Sequence, residues 1–122
     1  MLLRSSGLDT DWMVKLCEVY PDGRMINVCD GVLRASLRDG RERRLLEPGD
    51  IVEYTIDLWS TAIRFPAGHR LAVLISSSDF PRYDRNPNTG EMAHEASELK
   101  PALQQIFHDR ARPSSIHLPV VG

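Results

Sequence analysis

Hydrophobic and polar residues alternate along most of this chain, and turn residues break the alternation about every ten positions. From Trp12 to Tyr20, one face carries Trp12, Val14 and Leu16, and the other carries Met13, Lys15, Cys17 and Val19. That pattern predicts a strand of mixed exposure. Pro21-Asp22-Gly23 follows as a turn, with Pro presetting φ and Gly supplying a positive φ. In Val32 to Arg38, Leu33, Ala35 and Leu37 alternate with Arg34, Ser36 and Arg38, which predicts a half-buried strand.

The strongest period-two signal is Val52, Tyr54, Ile56 and Leu58, alternating with Glu53, Thr55 and Asp57. Thr61 to Phe65 reads as a short strand stopped by Pro66. Arg70 to Ser76 is nearly apolar on both faces, which predicts a central, well-covered strand. Ser77 to Gly90 is polar and rich in turn residues, and predicts a long loop; long ordered loops tend to carry a function. Glu91 to Lys100 has weak helical character. Gln104 to His108 and Ser115 to Val120 are the last two strand candidates, bordered by Pro113 and Pro119. Short strands without a long helix point to an all-β sandwich or barrel, with residues 1–122 forming one domain.

Charge narrows the partners. Fifteen Lys and Arg against 17 Asp and Glu give a net charge of −2, so a strongly basic nucleic-acid face is not expected. The longest nearly apolar run, Leu71 to Ile75, is too short to span a bilayer. The first residues are too weakly apolar for a secretion signal. Cys17 and Cys29 are too few for a disulfide scaffold or a zinc site, and read as reduced, half-buried strand residues; a single bridge stays open if their strands are adjacent. The expected compartment is the cytoplasm.

The candidate chemistry is sparse. The Gly-x-Ser-x-Gly turn that exposes a hydrolase nucleophile is missing, and Ser76-Ser77-Ser78 lacks the flanking glycines. His69, His94, His108 and His117 have neither helical nor strand metal-pair spacing. Asp9 and Asp11 are two carboxylates, too few for calcium, and suit turn capping. No cofactor and no metal are expected. Trp12 points inward by its alternation, and Trp59 stands at a strand end. Phe80-Pro81-Arg82-Tyr83 lies in the long loop, where Phe80 either plugs the end of the sandwich or docks onto another surface.

Several runs form a signature. Asp9-Thr10-Asp11-Trp12, Val19-Tyr20-Pro21-Asp22-Gly23 and Asn27-Val28-Cys29-Asp30-Gly31 come first. Leu46-Glu47-Pro48-Gly49 and Tyr54-Thr55-Ile56-Asp57-Leu58 follow. The most specific pieces are Phe65-Pro66-Ala67-Gly68-His69-Arg70-Leu71 and Ser76-Ser77-Ser78-Asp79-Phe80-Pro81-Arg82-Tyr83. Nearly the whole chain resembles the C-terminal domain of X-Pro dipeptidyl-peptidases and cocaine esterase-type (CocE/NonD) serine hydrolases.

That resemblance implies a jelly-roll β-sandwich, similar to galactose-binding domains, packed against an α/β-hydrolase domain and a helical cap. It carries over no catalytic residue, because the family's Ser, Asp and His lie in the hydrolase domain. Family domains begin with further strands, so the chain is expected to lack the first strand or strands, with Leu2 to Ser6 as the tail of one. A bare sheet would then meet a parent enzyme's other domains or a second copy. The expected interface residues are His69, Arg70, Phe80, Pro81, Arg82 and Tyr83. The alternative is a stand-alone carbohydrate- or protein-binding module.

Overall fold

The computed structural model describes residues 1–121. Six strands form: β1 (Leu2–Ser5), β2 (Asp11–Val19), β3 (Met25–Arg34), β4 (Ile51–Glu53), β5 (Arg70–Ser76) and β6 (Gln104–Phe107). A 3-10 turn at Ala35–Leu37 follows β3. All pairings are antiparallel. One sheet has the order β4-β1-β6 and the other β3-β2-β5. The chain is an all-β sandwich.

The two sheets meet over a small core of Leu3, Trp12, Ala35, Leu46 and Tyr54. Leu3 comes from the middle of the first sheet, flanked in register by Val52 and Ile106. Trp12 comes from the middle of the second, beside Leu33. The Trp12 and Tyr54 rings lie 5.7 Å apart and tilted by 59°, a favourable aromatic arrangement. The tight hairpin between β2 and β3 is closed by Tyr20 N–H on the Arg24 carbonyl at 2.8 Å. The register shifts between Leu16 and Cys17, leaving Val28 as the extra residue of a bulge. Cys17 and Cys29 sit on these adjacent strands, and both are free thiols.

Several sequence expectations need correction. The Val32–Arg38 strand stops at Arg34. There the Ala35 N–H turns to the Thr10 carbonyl (2.8 Å) and the Ser36 N–H to Asp9 (3.0 Å), and the backbone coils into the 3-10 turn. The Val52–Leu58 run is strand only through Glu53, with one further backbone exchange between Tyr54 and Met1 at 2.7 Å each way. Its alternation of burial persists, with Tyr54 buried and Ile56 and Leu58 half-buried, but the segment leaves the ladder to cross over Gly31. Thr61–Phe65 and Ser115–Val120 form no strand, and Glu91–Lys100 forms a turn, not a helix. Leu2–Ser5 forms a strand, the central one of its sheet.

The clearest inversion concerns β2 and β5. β2, expected to be of mixed exposure, is the central strand and is buried on both faces except for half-buried Lys15. β5, expected to be central and covered, is an edge strand with Leu71, Val73 and Leu74 exposed.

Candidate functional site

The site is the uncovered surface around β5 and the loop that follows it. Register divides the second sheet into two faces. The inner face carries Trp12, Val14, Leu16 and Glu18 with Ile75, Val73 and Leu71. The outer face carries Met13, Lys15, Cys17 and Val19 with Ser76, Leu74, Ala72 and Arg70. Toward Trp12 and Ile75 the inner face is sealed by the first sheet. Toward Glu18 and Leu71 it opens, and Leu71 is 40% exposed. On the outer face Leu74 is 45% exposed.

The segment from Ser77 to Gly90 is a strap pinned across the second sheet. Asp79 accepts a 2.6 Å contact from Lys15 Nζ. Arg82 Nη1 donates to Asp30 Oδ2 at 2.6 Å. Asn86 Nδ2 donates to Asp11 Oδ1 at 3.0 Å, and the Leu8 N–H reaches the Asn88 carbonyl. Arg43 ties the far end by donating to the Gly90 carbonyl. The junction between strap and sheet, lined by Met13, Lys15, Asp30, Asp79 and Tyr83, leaves no room for a water molecule.

The six expected interface residues do not form one patch. His69 and Arg70 stand at one end of β5, and Phe80, Pro81, Arg82 and Tyr83 lie past the other, separated by a strand of about 20 Å. His69 Nδ1 meets Glu18 Oε1 at 2.6 Å, and its ring centre lies 4.5 Å from that of Tyr20, with the planes tilted by 51°. Arg70 is exposed, with no ion pair among the described residues. Phe80 is 62% exposed, so it docks or stays bare; it plugs nothing in this chain. Arg85 lies 5.3 Å from the Phe80 ring. Tyr83 is half-buried against the sheet. Trp59 is 80% exposed, with a left-handed φ of 64°.

Sequence reading missed the residues that join the two clusters. Leu71, Val73 and Leu74 form the apolar bridge. Lys15, Glu18 and Asp30 contact Asp79, His69 and Arg82 beside it. Their partners lie 64, 51 and 52 residues away, beyond any local motif.

The electrostatics fit a structural role. Burial pushes the Cys17 thiol up, and burial together with the Asp30 charge does the same for Cys29, so neither is an activated nucleophile. Ser36 Oγ donates to Asp9, not to a histidine. The serine–histidine contact of Ser115 and His117 is 3.5 Å long and exposed, too long for a working hydrogen bond. Asp9 and Asp11 cap and brace turns, and no group of three or more metal-ligating side chains exists among the described residues. Among the described residues no helix is long and apolar enough to cross a membrane.

Comparison with known proteins decides the family. Residues 2–117 match the X-Pro dipeptidyl-peptidase C-terminal non-catalytic domain. The chain belongs to this family. It is 41% identical over 124 residues to a protein named cocaine esterase from Rhodococcus sp., an alignment covering 99% of this chain and 22% of that protein. It is 27% identical over 139 residues to a protein of Mycobacterium bovis named "Putative serine esterase", covering 99% of this chain and 20% of that protein. The chain thus spans about a fifth of the length of these relatives. The family's description, non-catalytic, agrees with the absence of an activated nucleophile at the positions described above.

Proposed function

We propose that this chain is the structural β-sandwich of a serine hydrolase, packing against an α/β-hydrolase domain and helical cap through β5 and the Ser77–Gly90 strap. The carrying observation is β5 itself: an apolar strand on both faces, left at an edge and exposed. Strands of that composition occupy covered positions, and exposed apolar edges are a liability.

Area supports the reading. The accessible surface is 8554 Å². A compact 13.8 kDa monomer exposes about 6,600 Å². The excess of about 1,900 Å² is the size that one side of a permanent interface buries. In such an enzyme the chemistry, attack by serine on an ester or amide carbonyl, belongs to the hydrolase domain, and this chain holds that domain in shape.

The test is a chimaera in which this chain replaces the aligned segment of the Rhodococcus relative. The reading expects a longer inactivation half-life for the chimaera than for the relative lacking that segment. Equal half-lives would remove it. A second reading, a carbohydrate-binding module, draws on the exposed ring of Trp59. It requires saturable quenching of Trp59 fluorescence by a glycan, and a flat titration over a broad sugar panel would end it.

A further inference from the structure

The strap presents one side chain in a way that the sheet beneath it does not explain. Phe80 stands out into solvent between two ion pairs, Asp79 with Lys15 and Arg82 with Asp30. Backbone hydrogen bonds from the N–H groups of Arg82 (3.0 Å) and Tyr83 (3.3 Å) to the Asp79 carbonyl close the same turn. The backbone that carries this large apolar group is therefore pinned. Fixing the loop backbone before binding removes part of the ordering cost that association would otherwise incur. Exposed aromatics on rigid elements are the residues that dominate protein contacts.

The charge beside it is equally unspent. Arg85 is exposed and lies 5.3 Å from the Phe80 ring, within cation–π distance. Arg82 has Asp30, Lys15 has Asp79 and Arg34 has Asp11. Arg85 has no ion pair among the described residues. Its neighbour Asp84 lies toward Arg34, whose guanidinium it helps to keep charged. The strap thus offers a ring and an unpaired guanidinium side by side.

We propose that Phe80 is the anchor of the interdomain contact and that, with Arg85 against its ring, it enters an apolar socket rimmed by a carboxylate on the hydrolase domain. The proposal rests on the packing reading above and names the residue pair that carries it. An apolar socket accounts for the ring. A rim carboxylate accounts for the guanidinium, which binds carboxylates by paired, charge-assisted hydrogen bonds.

The test compares Phe80→Ala, Arg85→Glu and Arg85→Lys in the chimaera and in the 122-residue chain alone. In the chain alone Phe80 is exposed, so Phe80→Ala leaves the urea midpoint unchanged. In the chimaera Phe80→Ala shortens the inactivation half-life about tenfold, Arg85→Glu shortens it by a smaller factor, and Arg85→Lys retains most of it. A chimaera that outlives the truncated relative but is indifferent to Phe80→Ala overturns the anchor and leaves the packing reading standing. A Phe80→Ala loss of equal size in the chain alone also overturns it, since the ring would then serve only the fold. A chimaera no longer-lived than the truncated relative overturns both.

Discussion

Asp9 Oδ2 accepts a 2.8 Å hydrogen bond from the Ser36 hydroxyl, with Asp9 1% exposed and Ser36 fully buried. Asp9 Oδ1 also accepts from the Ser36 and Thr10 N–H groups, at 3.0 and 2.9 Å. One carboxylate thereby fixes the point where β3 ends and the 3-10 turn begins. It joins that turn to the segment between β1 and β2, at the edge of the core.

Asp9→Ala leaves three buried donors without their acceptor. It should cost about 3–5 kcal/mol, the size expected when one partner of a buried charged network is removed. Ser36→Ala removes one of the bonds and should cost about 1–2 kcal/mol. Urea unfolding of both variants checks the order. Equal, small losses would mean that the network is decorative.

Gly31 is required by a close crossing and not by its backbone angle. A Cβ there would lie 2.0 Å from the Asp57 carbonyl oxygen. Gly31→Ala must push the 54–58 segment off the sheet, and should cost about 3 kcal/mol. Gly40, with open space around its would-be Cβ, is the comparison: its φ of 121° makes Gly40→Ala a matter of backbone strain alone. A Gly31→Ala protein as stable as the parent would show that the crossing can move freely.

The pH dependence follows from Asp30. Its carboxyl is held below the usual carboxylate range, first by the hydrogen bond from Arg82 and then by that from Asn27. A carboxylate whose folded-state pKa is depressed adds stability above its unfolded value, about 4, and loses it as pH falls through the folded value. Arg82→Gln should therefore lower the urea midpoint at pH 7, and the gap to the parent should narrow steadily as pH falls below about 4. A gap that stays constant across that range would show that Arg82 acts through packing and not through the charge.

The thiols give an independent check on the second sheet. Both are pushed up, chiefly by burial, so both should react slowly with a disulfide reagent in the native chain at pH 8 and rapidly in urea. Fast native labelling of Cys17 would contradict its placement in the buried central strand.

Much of the architecture was legible because alternation reports burial. Trp12 and Tyr54 reach the core as period-two reading places apolar residues, and Pro21-Asp22-Gly23 turns the chain where its chemistry demands. Alternation does not report pairing, so Thr55 to Leu58 keeps its buried and exposed order without joining a ladder, while Tyr54 still exchanges backbone hydrogen bonds with Met1. Nor does it report strand order. Lys15 made β2 read as a strand of mixed exposure, because its partner Asp79 is distant in sequence. β5 looked central because it carries no charge after Arg70, and that composition suits a cover lying outside this chain. Phe80 was visible as a docking candidate; the pins that hold it and the guanidinium beside it became visible only in three dimensions.

The bare β5 surface should also make the isolated chain associate with itself, since an apolar edge seeks a partner. Light scattering over a concentration series should show a rising mean mass. A monodisperse monomer would count against the size of the uncovered face.

The most direct measurement is amide hydrogen exchange at β5, Arg70 to Ser76, in the isolated chain and in the chimaera with the Rhodococcus relative. The packing account predicts that these amides exchange at least about tenfold more slowly in the chimaera, while those of β1, already central in its sheet, change little. Identical exchange at β5 in both proteins would contradict it.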